Sequence, residues 1–478
     1  MMLALLVIFP ASMGVIALKT RNVRVALAML LGVSAAHLCV TLSLWAKDAA
    51  IPPGAVLGLD VAGIIFLSIT SVLFLVAAVY CVPYLLAQAH EEPGGLHLFV
   101  PCLLWFLAAM TLVTVAQNLA MLWAAIEATT LASAPLIYFH RRKEALEATW
   151  KYLMICSVGI ALALLGTFFL GVAATVPLAR GSGLSLPALI QAAPHLSRRW
   201  LEGAFVFALV GYGTKMGLAP LHTWLPDAHS QAPAPVSALL SGALLNCAFL
   251  GIFRFFQILA ASGNGAFART LLLLLGFTSL GVAAALMVRQ RDYKRLLAYS
   301  SIENMGVIAI GVGLGGPAVF GALLHAVNHS LCKAGLFLLS GNVLREFGTA
   351  SAGDVRGVLR RLPGSGMLLM TLLFALGGTP PFGLFVSEFT IFAAAIRGTQ
   401  AWLGPLFAAL LAIAFLGTAS VLLPMLQADG SSVSESDREP WLSVATPLVL
   451  GLAVLILGLY VPAFLSDRLH RAAMLLGG

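Results

Sequence analysis

The sequence predicts an all-α polytopic membrane protein with about 14 transmembrane helices. Three observations carry that prediction. Of 478 residues, 60% are hydrophobic and only 10% are charged. Apolar runs of about 18 or more residues recur along the whole chain, each long enough to cross a hydrocarbon core about 30 Å thick as a helix. Basic residues collect in the short segments between those runs.

In chain order the spans are expected near Met2 to Leu18, Val23 to Trp45, Val56 to Cys81, His97 to Ala116, Gln117 to Phe139, Trp150 to Ala174, Gly203 to Pro220, Ala234 to Ala260, Thr270 to Val288, Leu296 to Gly313, Ala318 to Gly341, Met367 to Arg397, Trp402 to Leu426 and Trp441 to Leu465. No basic residue precedes the first run, and Lys19, Arg21 and Arg24 follow it directly. It lacks the charged start of a cleaved signal peptide, so it is expected to be retained with its N-terminus outside. Alternation from that start puts about 16 Lys and Arg in or beside cytoplasmic loops and about 9 on the other face, in agreement with the positive-inside rule. Arg141-Arg142-Lys143, Arg289 to Arg295 and Arg356 to Arg361 supply most of the bias. An even number of spans returns the C-terminus to the outside.

Two spans are interrupted at mid-length by helix breakers, span seven at Gly213 to Pro220 and span twelve at Gly377-Gly378-Thr379-Pro380-Pro381-Phe382-Gly383. Broken helices at membrane depth survive where the freed backbone is buried in protein or lines a wet cavity, and paired breaks point to an internal repeat. The breaks lie five spans apart. A repeat with an odd number of spans inserts its second copy upside down, so spans four to eight and nine to thirteen are expected to be inverted copies. The implied organisation is an N-terminal three-helix region (1–96), two five-helix repeats (97–262 and 263–426), and a loop with the last helix (427–478).

Charges held at membrane depth are costly and usually face water, a partner charge or a transported ion. The ionisable residues placed within spans are Asp60, Glu127, Lys215, Glu303, His325, His329, Lys333 and Glu388. One reading is that they pin helices together; the other is a proton relay, because acids and bases at this depth gain and lose protons as their partners move. His325, His329 and Lys333 are spaced i, i+4, i+8 and fall on one helix stripe. A titrating stripe suits them better than a metal site, since no His-Glu-x-x-His pattern or nearby cysteine set accompanies them. Glu144 and Glu147 fit solvated helix-end charges, while Lys151 fits either a snorkelling anchor or an accessory relay member.

The net charge of +8 comes from residues scattered through short loops without interleaved aromatics. It is a topology signal, and nucleic acid is not an expected partner. Cys39, Cys81, Cys102, Cys156, Cys247 and Cys332 lie in or at the ends of apolar spans with no Cys-x-x-Cys among them. They read as small buried hydrophobes, so neither an iron–sulfur cluster nor a disulfide framework is implied. No phosphate loop or dinucleotide fingerprint occurs in a strand-to-helix setting, and no metal or cofactor is expected on this chain.

The stretches Lys215 to Leu240 (KMGLAPLHTWLPDAHSQAPAPVSALL), Asp292 to Gly306 (DYKRLLAYSSIENMG), His325 to Gly341 (HAVNHSLCKAGLFLLSG) and Gly383 to Phe389 (GLFVSEF) resemble the antiporter-type subunits of respiratory complex I. That family also includes Mrp-type sodium/proton antiporters and membrane-bound hydrogenase subunits. The resemblance covers roughly residues 55 to 425. It implies a 14-helix fold with two inverted five-helix repeats, broken seventh and twelfth spans, and a central hydrophilic axis that carries protons. By matching motif positions, Glu127 takes the place of the fifth-span glutamate, Lys215 the seventh-span lysine and Glu388 the twelfth-span terminal charge. Asn246 stands where many relatives carry a central Lys or His. The Asn246-Cys247 pair and Ser301 to Gly306 look most like the hydrogenase 4 component F branch.

The resulting expectation is a proton-translocating, non-catalytic membrane subunit of a redox-driven complex of the hydrogenase, formate hydrogenlyase or complex I type. Glu127 and Lys215 form the input pair, Glu303, His325, His329 and Lys333 the connecting axis, and Glu388 the second half and its exit. Lys151, His222, Asp227, His229 and Asn246 are accessory candidates. Expected partners are other membrane subunits, a peripheral hydrogenase or quinone-reductase arm, the lipid bilayer, and protons or Na+. The expected location is a bacterial or archaeal cell membrane. Two other readings remain open at this level: a stand-alone or Mrp-type cation/proton antiporter, and a non-pumping anchor for a hydrogenase.

Overall fold

A computed structural model of the chain describes residues 2–46, 51–52, 54–88, 96–174, 183–427 and 439–477. The expected unit limits near 96 and 427 adjoin segments 89–95 and 428–438, which lie outside the described residues. Among the described residues the chain is helical throughout, and 11 helices are long and apolar enough to cross a membrane.

The first half contains α1 (Met2–Leu18), α2 (Val23–Leu44), α3 (Val61–Gln88), α4 (Leu96–Val115), α5 (Leu119–Ile137), α6 (Lys143–Ala174), α7 (Leu186–Ala192), α8 (Arg198–Met216), α9 (Trp224–Gln231), α10 (Ala234–Leu239) and α11 (Leu245–Ala261). The second contains α12 (Gly265–Met287), α13 (Tyr293–Leu314), α14 (Pro317–Phe347), α15 (Val358–Arg361), α16 (Pro363–Leu376), α17 (Gly383–Arg397), α18 (Leu403–Gln427), α19 (Trp441–Leu459) and α20 (Ala463–Met474). Local sequence sets several of these limits. The Asn118 side chain accepts from the Ala120 and Met121 amides to start α5, and Asp292 does the same for Lys294 and Arg295 at α13. Each cap satisfies backbone donors that the first turn leaves free.

Both expected breaks are present. α8 stops at Gly217, whose φ of 85° closes the helix, and α9 starts at Trp224, whose indole Nε1 donates to the Thr214 carbonyl at 2.8 Å. α16 stops at Leu376 and α17 resumes at Gly383, with Gly378 at a φ of 64° between them. Three features depart from expectation. A five-residue π-helical turn, Leu240–Leu244, interrupts the eighth span between α10 and α11. α14 runs from Pro317 to Phe347, longer than the span expected at Ala318 to Gly341. The last span ends at Leu459, because Tyr460 is extended and Pro462 begins a separate amphipathic helix, α20.

The central elements are α10, α11, α13 and α14, whose apolar stretches are almost wholly buried, whereas α2, α6, α12, α18 and α19 keep most of theirs outward. Perimeter helices must present apolar side chains to lipid, so the polar residues concentrate on the interior ones. Small residues let these helices approach. A Cβ at Gly211 would lie 2.5 Å from the Gly159 carbonyl, joining α8 to α6, and one at Gly306 would lie 2.9 Å from the Gly276 carbonyl, joining α13 to α12. Five cysteines are buried as expected; Cys39, on an outward face of α2, is exposed.

Candidate functional site: a buried polar axis

Lys215 lies in the last turn of α8 and is fully buried. Its Nζ donates to Thr130 Oγ1 on α5 at 2.7 Å and to the Tyr152 hydroxyl on α6 at 2.6 Å, and it lies 4.5 Å from the centre of the Tyr152 ring. Thr130 Oγ1 donates in turn to Glu127 Oε2 at 3.3 Å, and Ser157 donates to Glu127 Oε1 at 2.8 Å. Glu127 and Lys215 are thus joined through a hydroxyl rather than by direct contact. Tyr152 and Ser133 hydroxyls lie 2.7 Å apart, and Ser133 also reaches the Thr129 carbonyl at 2.7 Å. This arrangement holds an ammonium group among hydroxyl acceptors, with its carboxylate one hydroxyl away.

α9 continues the run. Its first residue, Trp224, packs on Tyr152 with ring centres 5.0 Å apart, and His229 near its end stacks on Phe337 of α14 at 4.7 Å. Lys333 Nζ lies 5.0 Å from the centre of that same Phe337 ring. Lys333 donates to Ser300 Oγ at 2.7 Å and, by a shorter contact, to the Leu297 carbonyl, both on α13. His229, His325, His329 and Lys333 are all fully buried.

One turn before Lys333, His329 has no partner of good hydrogen-bond geometry at either ring nitrogen among the described residues, and the same holds for His229. Ser241, inside the π turn, faces His329. Gly242 beside it leaves that turn against α14, since a Cβ there would come within 2.9 Å of the Ser330 carbonyl. Asn246 fixes the same junction, its Nδ2 donating to Ser330 Oγ at 2.6 Å and to the Gly242 carbonyl at 2.8 Å. It is a clamp that cannot titrate. The His325 ring, 6.4 Å from that of His329, is held on both sides: Nε2 meets Asn304 Oδ1 and Nδ1 meets Ser387 Oγ, each at 2.9 Å. Glu303 and Glu388 are the sequence neighbours of those two clamping residues. Glu303 is buried and Glu388 half-buried.

The remaining candidates sit at the ends. Lys151 bridges Glu147 at 2.6 Å and Asp227 at 3.1 Å, and Asp227 also pairs with Arg295. These residues line an open charged cavity of about 550 Å3 beside the Arg289 to Arg295 loop. Asp227 therefore ties α9 to α6 and α13. His222 is buried in the break between α8 and α9, with no hydrogen bond at Nδ1. Asp60 lies apart from the axis, paired with Arg254 of α11 through two contacts, one of 2.7 Å. Asp60 and Gln257 border a second cavity, of about 580 Å3.

Sequence reasoning missed Thr130, Tyr152, Ser133, Ser157 and Arg254. Hydroxyls at helix positions carry no signal that separates an internal backbone bond from a contact across helices. Arg254 did carry one, as an arginine inside the otherwise apolar Ala234 to Ala260 run. No group of three or more His, Cys, Asp or Glu suited to a metal occurs among the described residues. Tyr152→Phe deletes one of the two hydroxyls that receive the Lys215 ammonium. It is expected to lower the stability of the detergent-solubilised protein by about 1.5 to 3 kcal/mol, the range for hydrogen bonds to charged groups. An unchanged thermal midpoint would show that the Tyr152 contact contributes nothing.

Residues 116–417 match the family described as NADH:quinone oxidoreductase/Mrp antiporter, TM. The chain is 35% identical over 443 residues to a "Hydrogenase-4 component F homolog" of Methylacidiphilum infernorum, an alignment covering 91% of this chain and 90% of that protein. It is 29% identical over 420 residues to "NADH-quinone oxidoreductase subunit N" of Desulforudis audaxviator, covering 83% and 80% of the two chains. Its fold matches a chain of an archaeal membrane-bound sulfane sulfur reductase with a TM-score of 0.88 at 20% identity, covering 99% of this chain and 97% of that one. A chain of Thermus thermophilus respiratory complex I matches with a TM-score of 0.82 at 24% identity over the full length of both. The chain is therefore a multi-pass membrane protein that belongs to the NADH:quinone oxidoreductase/Mrp antiporter membrane family.

Proposed function

We propose that this chain is the proton-translocating, antiporter-like membrane subunit of a redox-driven complex. The observation that carries the reading is the run of buried titratable groups across the interior helices. Glu127 and Lys215 are linked through Thr130, while His229 of α9 and Lys333 of α14 lie against one Phe337 ring, and His329 and His325 continue the stripe on α14. Such groups, five of them fully buried, are costly unless they serve a charge path. In this reading Glu127 and Lys215 load the first half, the α14 stripe connects the halves, and Glu388 serves the outlet.

The apolar runs support about 14 spans, the two breaks support two inverted five-helix repeats, 97–262 and 263–426, and the basic loops support both termini outside. The similarity to a hydrogenase 4 component F homolog supports a hydrogenase-type complex, in which the electron-carrying centres reside on other chains. Copurification tests that part: hydrogenase or quinone-reductase subunits support it, and a complex of Mrp-type subunits alone favours cation/proton antiport.

His329→Gln tests the path. Glutamine can hydrogen-bond but cannot titrate. In proteoliposomes of the whole complex, protons moved per redox turnover are expected to fall at least about tenfold, corresponding to about 1.4 kcal/mol on the transfer barrier, with yield and thermal midpoint nearly intact. Lys333→Met is expected to give the same loss. An unchanged ratio in both variants would remove the stripe from the path.

A further inference from the structure

We propose that Glu303 and Glu388 work as one site, two carboxyl groups with coupled protonation at the break between α16 and α17. The inference rests on the transport reading above and changes one part of it, since the two acids there belonged to different stages.

The two acids reach consecutive glycines of the break, Glu303 at Gly377 and Glu388 at Gly378. Glu303, on α13, lines a narrow void of about 10 Å3 with Leu373, Leu376, Gly377, Phe415 and Thr418. Glu388, on α17, lays its carboxylate against Gly378, where a Cβ would come within 2.1 Å of Oε2. Only a residue without a side chain leaves that space, and the φ of 64° at Gly378 favours glycine for the same position. The broken helix thus provides the room for Glu388 one residue along the chain from the glycine that borders the Glu303 void.

His325 sets the approach of the two helices. Asn304 Nδ2 donates to the Ser300 carbonyl at 2.6 Å, which leaves its Oδ1 to accept from His325 Nε2. Nδ1 lies 2.9 Å from Ser387 Oγ, which also reaches the Leu384 carbonyl of its own helix at 2.8 Å. The residue after Glu303 and the residue before Glu388 are therefore held on opposite edges of one imidazole, joining α13 and α17 to α14.

Among the described residues neither acid makes an ion pair or a side-chain hydrogen bond. The only hydroxyl lining the Glu303 cavity is that of Thr418, which donates to its own helix at the Ala414 carbonyl. The titratable groups facing the pair from α14 are His325, Cys332 and Lys333. His325 is engaged as described, and Lys333 is bound to Leu297 and Ser300. Two carboxylates at one break, with no ion pair to either among the described residues, repel in a low-dielectric interior, whereas one proton on the pair leaves a single charge. Such a pair loads and unloads one proton as a unit, next to the titrating stripe of α14.

Infrared titration of the purified complex at rest, with no redox turnover, tests the pairing independently of transport. Protonated carboxyl groups are counted from spectra of each variant minus wild type. Coupled protonation predicts two linked steps in the wild type. It also predicts that Glu303→Gln moves the step of the remaining acid by at least about one pH unit, as does Glu388→Gln. If the remaining acid titrates where it did in the wild type in either variant, the pairing is wrong while the transport reading stands. Near-isosteric replacement at two positions gives two chances of a folded variant. Exchanging choline chloride for sodium chloride is expected to leave the steps in place; a sodium-dependent shift would overturn the proton as the ligand.

Discussion

Lys215→Met is expected to abolish most redox-driven proton uptake while leaving assembly largely intact. Methionine keeps similar length and apolar character, but the ammonium that donates to Thr130 and Tyr152 is gone. Glu127 then loses the basic group that Thr130 links to it. Uptake by vesicles containing the whole complex is expected to drop at least about tenfold, or about 1.4 kcal/mol. Glu127→Gln is expected to match it. Because the two residues share Thr130, the double variant should add little further loss, the signature of groups acting as a unit. Normal uptake in assembled Lys215→Met vesicles would remove Lys215 from the path.

The largest effect on stability is expected from Asp60→Ala. Arg254 is fully buried, its guanidinium stays charged, and its ion-pair partner is the Asp60 carboxylate. Breaking a buried pair by removing one member typically costs about 3 to 5 kcal/mol, because the other charge is left without compensation. The Asp60 side chain is 19% exposed at its cavity, so water offsets part of that cost and the lower end of the range is expected. The thermal midpoint of the detergent-solubilised protein measures the change. Asp60→Ala combined with Arg254→Leu is expected to recover most of the loss, since no buried charge remains. A double variant as unstable as the single one would show that the pair matters through packing instead.

Much of the architecture was legible because the bilayer imposes a simple rule. Spanning segments must be long, apolar and helical, so the apolar runs and the glycine and proline breaks could be read directly. Where the reading slipped, the chain left the bilayer's control. α20 follows Pro462 as a separate amphipathic helix, and the π turn at Leu240–Leu244 lies inside an apolar run whose composition does not register it. Neither feature changes how apolar its segment is.

The sequence by itself determined the class of the protein, the two helix breaks, and the titratable residues Lys215, Glu303, His325, His329, Lys333 and Glu388, since charge at membrane depth is rare enough to be informative. Only the tertiary structure decided which of them meet. It placed Thr130 between Lys215 and Glu127, gave Asp60 to Arg254 rather than to the axis, and clamped His325 between Asn304 and Ser387. The physical reason is that a hydrogen bond is fixed by separations of about 3 Å and by direction. Those depend on how helices far apart in sequence rotate and cross, which helical periodicity within each segment leaves undetermined.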